Sequence, residues 1–509
     1  MRTKKSALWT IIWLWLILFT APAVPSYAQA GFEDDRVMLQ GFYWESYRHG
    51  HPERFPQFGN KRWYEIVKEK AGEIRQGRFN LVWLPPPSYA GDISAGYNPK
   101  EYFNLSNSYG DFNQHRSMLE TLLANGVEPV ADIVINHRDG SRGWADFKNP
   151  EWGTWAITAH DEAFTNPASG SVFNTPMAQR GAEEERPQEY ASHGGTAYSY
   201  PDFRDIDHSN KTVRRDIIRY LWQLQSIGYR GWRYDMVHGY HAKRIAQYNR
   251  ATHPTFSVGE YDWGAHAAQR GWIWNTAAVA GDIKTSSSVF DFSSYFTLKD
   301  NKGNYSALYG YGNGIGMVGD TTDGIPWKNR AVTFIENHDT GYRTNDDGSP
   351  QLHHEHDSFL NDWQVEQAYA YVLTHPGVPC VYWKHYFDWG SDLKAKIKAL
   401  INARHVAGVH AGSTVHPQHN AQIRGVYGAL ITGKNGGELY LRIGGSDAYW
   451  QPSDSNYRGY REYAAGNGWK VWVKLPGNPE VKQASLPGRL TVPVYKEPGS
   501  IRVPDALVE

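Results

Sequence analysis

The stretch YRGWRYDMV at residues 229–237 decides how the rest of the chain is interpreted. It ends an apolar run and places Arg233 and Asp235 two residues apart, and side chains at positions i and i+2 of a strand point to the same side. We therefore expect the guanidinium and the carboxylate to project together from a strand. A carboxylate beside a permanent cation stays ionised, and an ionised carboxylate can act as a nucleophile.

Strand-like apolar runs alternate with amphipathic helical runs between residues 37 and 406. The alternation predicts eight strands, each followed by a helical stretch. The third strand, VADIVIN at 130–136, is nearly all apolar, as expected for a parallel strand buried on both faces. Eight such units fit a closed parallel barrel, the (β/α)8 TIM barrel of the α/β class, better than an open sheet.

The domain prediction places the barrel in residues 31–137 and 212–407. Residues 138–211 are rich in Gly, Pro, Asn and Trp and are too long for an ordinary barrel loop, so they predict an irregular inserted subdomain B after strand three. A flexible loop is the alternative for this segment. Residues 408–509 change to short alternating stretches bounded by Gly, Asn and Pro, which predicts a C-terminal all-β domain, a sandwich or Greek key.

Residues 1–30 have the features of a secretory signal peptide. A positively charged start precedes an apolar stretch at 7–19, and AQA at 28–30 fits a small-residue cleavage site. The apolar stretch is too short for a convincing membrane span. We therefore expect a secreted protein, extracellular or periplasmic, that has no membrane partner after the signal is removed; an uncleaved anchor is the alternative.

The charges nearly cancel, with 52 Lys and Arg against 53 Asp and Glu. This balance argues against a nucleic acid or an anionic membrane as the partner, because both require a basic surface. Aromatic residues make up 14% of the chain, with 21 Trp and 33 Tyr, and flat rings with a polar edge suit the faces of sugars. A neutral sugar polymer is therefore a better prediction, although many of these rings will simply fill the core.

The ends of the predicted strands should meet at one mouth, because barrel enzymes carry their reactive groups at the C-terminal ends of the strands. These ends carry Asn136 and His137, Arg233 and Asp235, Glu260, and Asn337, His338 and Asp339. Three carboxylates and two histidines would converge there. Carboxylates without matching cations are costly unless a function retains them, so the pattern indicates an active site.

Four stretches, taken in order, resemble the four short sequence regions of the α-amylase family of glycoside hydrolases. They are DIVINH at 132–137, GWRYD at 231–235, VGE at 258–260 and IENHD at 335–339. The resemblance covers about residues 35–405. With YVLTHPGVPCVYW and HYFDWG further on, it is greatest to plant-type α-amylases and bacterial maltooligosaccharide-forming amylases.

This resemblance implies a retaining enzyme that hydrolyses internal α-1,4-glucosidic bonds in starch and related α-glucans. Asp235 would be the nucleophile, Glu260 the general acid/base and Asp339 the transition-state stabiliser. Retaining glycosidases hold their two working carboxyl groups roughly 5 Å apart, one ionised and one protonated. Arg233 would keep Asp235 ionised and would line the substrate site.

The same resemblance implies further substrate contacts. Tyr97, in AGYNP, matches a tyrosine that stacks on the sugar at the cleavage point, and His137 and His338 would contact its hydroxyls. His238 lies where many members have a lysine on the leaving-group side. An imidazole there weakens any fixed positive charge and makes this subsite sensitive to pH.

A calcium ion is also implied by the resemblance, bound by Asn136, Asp205 and the backbone carbonyl of Gly239, between the inserted subdomain and the barrel. Oxygen ligands of this kind suit Ca²⁺. The further aspartate that relatives often have is Ser199 here, so Asp202 or another residue would replace it. Asp207 is the alternative to Asp205.

Three alternatives to the endo-acting hydrolase remain at this level. An exo-acting enzyme that releases maltooligosaccharides would need one end of the cleft closed, by the insert or by the Trp-rich segment 263–274. A non-catalytic glycan-binding protein on the same barrel would lack one or more of the three carboxylates, and transglycosylation would need a sugar in place of water.

We expect a monomer. Trp450, Trp469 and Trp472 are expected in the C-terminal core, with a surface sugar platform as the alternative.

Overall fold

The computed structural model describes residues 33–140, 145–183, 203–262, 266–341, 343–344, 350–351, 361–422, 424–447, 449–452, 459–474 and 489–509. The predicted signal peptide at 1–30 lies outside these residues. Within them, no helix is both long enough and apolar enough to cross a membrane. The described chain contains a closed parallel barrel, an irregular insert after the third strand and a C-terminal antiparallel sheet.

Eight parallel strands form the barrel, and their spatial order follows the chain until the eighth strand pairs with the first. They are β1 Met38–Gln40, β2 Leu81–Leu84, β3 Glu128–Ile133, β4 Gly231–Tyr234, β5 Phe256–Gly259, β6 Ser288–Phe290, β7 Ala331–Thr333 and β8 Val378–Tyr382. Met38 pairs with Leu81 of β2 and with Cys380 of β8, which closes the ring. The prediction of a (β/α)8 barrel is confirmed.

A helix follows each barrel strand. These helices are α1 Trp63–Gln76, α2 Phe112–Ala124, α3 Lys211–Ile227, α4 Ala242–Thr252, α5 His266–Asn275, α6 Phe292–Asp300, α7 Asp362–Thr374 and α8 Ser391–Val406. Local sequence sets some of their ends. The Asp111 side chain accepts from Gln114 N at 2.8 Å while Gln114 Oε1 accepts from Asp111 N at 2.9 Å, a capping box that starts α2.

The described part of the insert is irregular but packed. Short helical turns are joined by a two-residue ladder in which His137–Arg138 pairs with Arg204–Asp205. Arg204 donates to Asp161 at 2.8 Å, and both side chains are almost fully buried. The guanidinium of Arg138 lies 4.6 Å from the ring centre of Trp152. These buried contacts tie the insert to the end of β3.

The C-terminal strands form one antiparallel sheet, which confirms the all-β prediction. They are β9 Thr414–Pro417, β10 Tyr427–Thr432, β11 Glu438–Ile443, β12 Tyr460–Gly466 and β13 Trp469–Lys474, in the order β9-β10-β11-β13-β12. The described strands make no second sheet, because helices α7 and α8 supply the opposite layer. Trp450, Trp469 and Trp472 are at most 6% exposed, so they belong to the core rather than to a surface platform.

Residues 489–509 return to the barrel and form no strand. Arg214 on α3 donates to the Val508 carbonyl at 3.0 and 2.6 Å, and Gln247 on α4 donates to the Leu507 carbonyl at 2.8 Å. The predicted β domain of residues 408–509 therefore has its last described strand at Lys474. The tail lies over α3 and α4 instead, because its carbonyl groups meet donors on those helices.

Candidate active site

Arg233, on β4, is the centre of a buried charge cluster. Its Nη1 donates to Asp132 Oδ1 at 2.7 Å and to Asp235 Oδ1 at 2.6 Å. Its Nη2 lies 2.8 Å from Glu260 Oε1, at the end of β5. Because β3, β4 and β5 are adjacent parallel strands, their ends bring these three carboxyl groups to one guanidinium. The shared projection of Arg233 and Asp235 is confirmed.

The charge balance of this cluster differs from the sequence-based expectation. Burial raises the pKa of Asp235 well above its usual range, and the nearby Glu260 and Asp132 add to the rise, against the lowering effect of Arg233. Burial also raises the pKa of Asp132 to about 6. Three carboxyl groups around one cation therefore favour one retained proton within the cluster.

Asp132 connects the charge cluster to the aromatic wall, a role that the sequence did not indicate. Its Oδ2 accepts from the Tyr97 hydroxyl at 2.8 Å and from Trp83 Nε1 at 3.0 Å. Its side chain is fully buried and also binds Arg233. The available signal was a carboxylate inside the otherwise apolar strand VADIVIN, since a buried charge needs partners.

Asp339 follows β7 and is held by a different pair of groups. His338 Nε2 lies 3.1 Å from Asp339 Oδ2, and Arg343 Nη2 donates to Asp339 Oδ1 at 3.2 Å. The Gln40 amide nitrogen lies 2.9 Å from His338 Nδ1 and so fixes the ring from below. Asp339 is more exposed than Asp235 and Glu260: 37% of its side chain is accessible, against 5% and 12%.

A cavity of about 540 Å³ opens over these groups, and Asp235, Glu260 and Asp339 all line it. Its aromatic wall consists of nearly parallel rings. The ring centre of Tyr97 lies 5.9 Å from that of Trp44, with 1° between the ring planes. It lies 5.2 Å from that of His338, with 11° between the planes. Carboxylates beside flat ring faces are the combination that recognises and cleaves sugars.

His137 and His238 also line the cavity. His137 Nε2 lies 2.7 Å from the Tyr97 carbonyl, and its ring stacks on Phe203 of the insert at 5.0 Å. Burial lowers the pKa of His137 to about 4, so this ring is neutral at pH 7. His238 Nδ1 lies 3.2 Å from Asp262 Oδ1. Arg233 lies beneath the carboxylates rather than on the cavity wall, and its predicted contact with substrate stays a prediction.

Comparison with known proteins identifies the family. The family model "Alpha amylase, catalytic domain" matches residues 67–269, and "Alpha-amylase C-terminal beta-sheet domain" matches residues 406–473. The protein named "Probable alpha-amylase 2" of Arabidopsis thaliana is 30% identical over 461 residues, which cover 86% of this chain and 94% of that protein. The chain belongs to the α-amylase family of glycoside hydrolases.

Other relatives agree with this α-amylase family assignment. "Alpha-amylase 3, chloroplastic" of Arabidopsis thaliana is 31% identical across 87% of this chain, which spans 44% of that longer protein. "Glucan 1,4-alpha-maltotetraohydrolase" of Stutzerimonas stutzeri is 30% identical across 78% of this chain and 67% of that protein. The solved Geobacillus thermoleovorans α-amylase complexed with acarbose superposes with a TM-score of 0.60 at 12% identity, covering 87% of this chain and 99% of that one, which shows the fold alone.

Two of the positions that the α-amylase resemblance gives to calcium lie against each other. A Cβ atom at Gly239 would overlap Asn136 Oδ1, so only glycine permits this approach. The ladder that pairs His137 with Asp205 brings the third position to the same junction. Asn136 and Asp205 thus lie where the insert meets the barrel, and their oxygens are of the kind that suits Ca²⁺.

Both carboxylate oxygens of Asp207, the alternative ligand, already accept hydrogen bonds from the protein. Its Oδ1 accepts from Ser209 N at 2.8 Å and its Oδ2 accepts from Ala182 N at 3.0 Å. Asp202 lies outside the described residues. Among the residues that the structure describes, no group of three or more His, Cys, Asp or Glu side chains is placed to hold a metal. A calcium site here would therefore combine the Asp205 carboxylate with amide and carbonyl oxygens.

The sequence-based assignment missed several residues of the cavity in this α-amylase family member. Trp44 follows the end of β1 by four residues, Arg343 follows Asp339 by four, and Phe203 comes from the insert. Position just after a barrel strand was the available signal for Trp44, and closeness in sequence to Asp339 was the signal for Arg343. Trp274, a candidate for closing the cleft, lies instead with Trp327 on a separate cavity of about 450 Å³.

Proposed function

We propose that this chain hydrolyses internal α-1,4-glucosidic bonds of starch and related α-glucans with retention of configuration. The observation that supports this most directly is the opening of Asp235, Glu260 and Asp339 into one cavity. Asp235 and Glu260 also bind the same guanidinium. Such close neighbours agree with the roughly 5 Å spacing of retaining enzymes better than with the roughly 6.5–9.5 Å of inverting ones.

In the proposed mechanism Asp235 attacks the anomeric carbon while Glu260 protonates the departing glycosidic oxygen. This step gives a covalent glycosyl ester and a free sugar hydroxyl. Glu260 then removes a proton from water, which attacks the same carbon and releases Asp235. Two inversions restore the α configuration. Asp339 grips hydroxyls of the distorted ring more strongly as oxocarbenium character grows.

The nucleophile assignment is tested by Asp235→Asn on soluble starch. Turnover should fall on the order of 10⁴-fold, as for removal of other catalytic groups. Asp291→Asn is the matched control, because Asp291 is equally buried but caps α6. Proton NMR of the first product formed should show the α-anomer. Near-normal turnover of Asp235→Asn, or a β-anomer product, would overturn the proposal.

A second candidate is exo-acting release of maltooligosaccharides, which the similarity to a protein named glucan 1,4-α-maltotetraohydrolase favours. Phe203 carries the insert to the cavity wall and is a candidate for closing one end. Maltooligosaccharides blocked at the non-reducing end separate the two modes. If blocked chains are cleaved as fast as unblocked chains, the endo mode is supported. If blocked chains resist cleavage completely, the exo mode is supported.

We further infer that Asn136, Asp205 and the Gly239 carbonyl hold a calcium ion that fastens the insert to the barrel. The ion would supply charge to bind these oxygens together, and the chain's own carboxylates would perform the chemistry. Chelator treatment should lower Tm, and added Ca²⁺ should restore it. An unchanged Tm after chelation would count against the site.

Export and a monomeric state are separate proposals. N-terminal sequencing of the secreted protein tests export and signal cleavage, and light scattering tests the monomeric state.

A further inference from the structure

Both carboxylate oxygens of Asp339 have a contact partner, and both partners belong to the same loop as Asp339. His338 Nε2 lies 3.1 Å from Oδ2. Arg343 Nη2 donates to Oδ1 at 3.2 Å. The other two proposed catalytic carboxylates, Asp235 and Glu260, depend on Arg233 instead. The site therefore uses one arginine beneath the cleft and another at its wall.

Arg343 is itself held by an aromatic platform. The guanidinium carbon lies 3.8 Å from the centre of the Trp44 ring. The same indole is nearly parallel to Tyr97 and to His338, with angles of 1° and 11°. Arg343, Trp44 and Asp339 all line the cavity. A planar guanidinium held over a ring presents its N–H groups as a rigid fork, which a lysine ammonium does not do.

We propose that Arg343 is a positioning residue for Asp339: held over the Trp44 ring, it fixes the carboxylate in the orientation in which it meets the sugar ring. This inference rests on the proposed function, in which Asp339 stabilises the transition state. Because that contact strengthens as charge develops, loss of orientation should reduce kcat more than it raises KM.

A purely structural ion pair is the competing explanation. The two residues are four apart, and their side chains are 18% and 37% exposed. Partly exposed pairs of this kind contribute little to stability. If the pair did only this, replacement of Arg343 would change neither kcat nor KM appreciably. The two explanations therefore predict different values of kcat for an Arg343 variant, but similar stabilities.

The first test is Arg343→Ala, assayed on a chromogenic maltooligosaccharide. We expect kcat to fall about 10²-fold, the loss that follows from misplacing a group by roughly 1 Å, with a much smaller change in KM. Arg343→Lys should recover only part of kcat, because it restores charge without the flat fork. Arg54→Ala is the control, since Arg54 also lies over an aromatic ring, Phe55 at 5.2 Å, but is exposed and away from the cavity.

Chemical rescue provides a measurement that folding defects do not imitate. Free guanidinium ion, added well below denaturing concentrations, should occupy the space on Trp44 and raise kcat of Arg343→Ala several-fold. Sodium chloride at the same ionic strength should not do so. Wild-type kcat in Arg343→Ala, or equal recovery by both salts, would overturn the proposal. Arg343→Lys covers the case in which the alanine variant does not fold.

A double-mutant cycle separates this inference from the proposed function. Asp339→Asn should be severely impaired, and adding Arg343→Ala to it should cost little more, because both changes remove the same interaction. If Asp339→Asn retains normal turnover, the proposed role of Asp339 fails. If Asp339→Asn is inactive but Arg343→Ala is normal, the positioning role alone fails.

Discussion

Gly239→Ala should destabilise the protein and disturb the active site through one neighbour, Asn136. A methyl group at Gly239 would overlap the Oδ1, Cγ and Nδ2 atoms of Asn136. Asn136 is only 4% exposed, and its backbone carbonyl accepts from Ile206 N at 3.0 Å, which fixes the main chain that carries the side-chain amide. The amide therefore has little room to move, and the substitution forces a displacement at the junction of barrel and insert.

The expected magnitude follows from this overlap. Overpacking a buried site costs about 1–3 kcal/mol. Since each kcal/mol shifts Tm by roughly 2–4 °C in domains of 150–250 residues, Tm should fall by a few degrees. Asn136 Nδ2 lies 3.3 Å from His137 Nδ1, and His137 Nε2 lies 2.7 Å from the Tyr97 carbonyl. The displacement should therefore reach the cleft and lower kcat.

Calorimetry and initial rates on soluble starch measure the two effects, each with added Ca²⁺ and with chelator. Gly310→Ala is the matched control, because a methyl group there meets no atom within 4 Å. If Gly239 helps to hold calcium, chelator should reduce the Tm difference between wild type and Gly239→Ala, since the wild type then loses its bound ion. A Gly239→Ala protein with the Tm and turnover of Gly310→Ala would refute the reasoning.

Three further substitutions have definite expected outcomes. Tyr97→Phe removes the hydroxyl that donates a hydrogen bond to Asp132 Oδ2, and kcat on soluble starch should fall about tenfold or more, since hydrogen bonds to charged groups contribute about 1.5–3 kcal/mol. Asp132→Asn should flatten the pH dependence of urea unfolding between about pH 4 and pH 6, because burial raises the pKa of Asp132 to about 6. Arg214→Met removes both donors to the Val508 carbonyl and should lower Tm without changing kcat.

The sign of the pH effect follows from linkage. With its pKa raised, folded Asp132 keeps its proton to a higher pH than the unfolded chain does, so stability falls as pH rises from about 4 to 6. An unchanged slope in Asp132→Asn would contradict this. Unaltered kcat in Tyr97→Phe would contradict the link from the hydroxyl to the site. Arg214→Met with unchanged Tm would show that the tail is not anchored there.

The barrel was predictable because each of its units carries a local signal. The third strand is recognisable from VADIVIN, and the amphipathic run at residues 63–76 predicts a first helix, which the structure has as α1 at Trp63–Gln76. The C-terminal sheet was predictable from alternation, but its partner layer was not. Helices α7 and α8 cover it, and Trp469 Nε1 donates to Glu366 on α7 at 3.1 Å. No local pattern reports a contact between segments that far apart.

The sequence by itself determined which residues stand at the strand ends, because parallel strands of one barrel finish at the same face and side chains alternate along each strand. Asp235, Glu260 and Asp339 followed from that rule and from the family resemblance. Only the tertiary structure decided how the charges are shared. Three carboxyl groups meet one guanidinium, and the Arg343 guanidinium lies over the Trp44 ring beside Asp339. Burial and long-range proximity set those interactions, and both depend on loops that meet only in the folded chain.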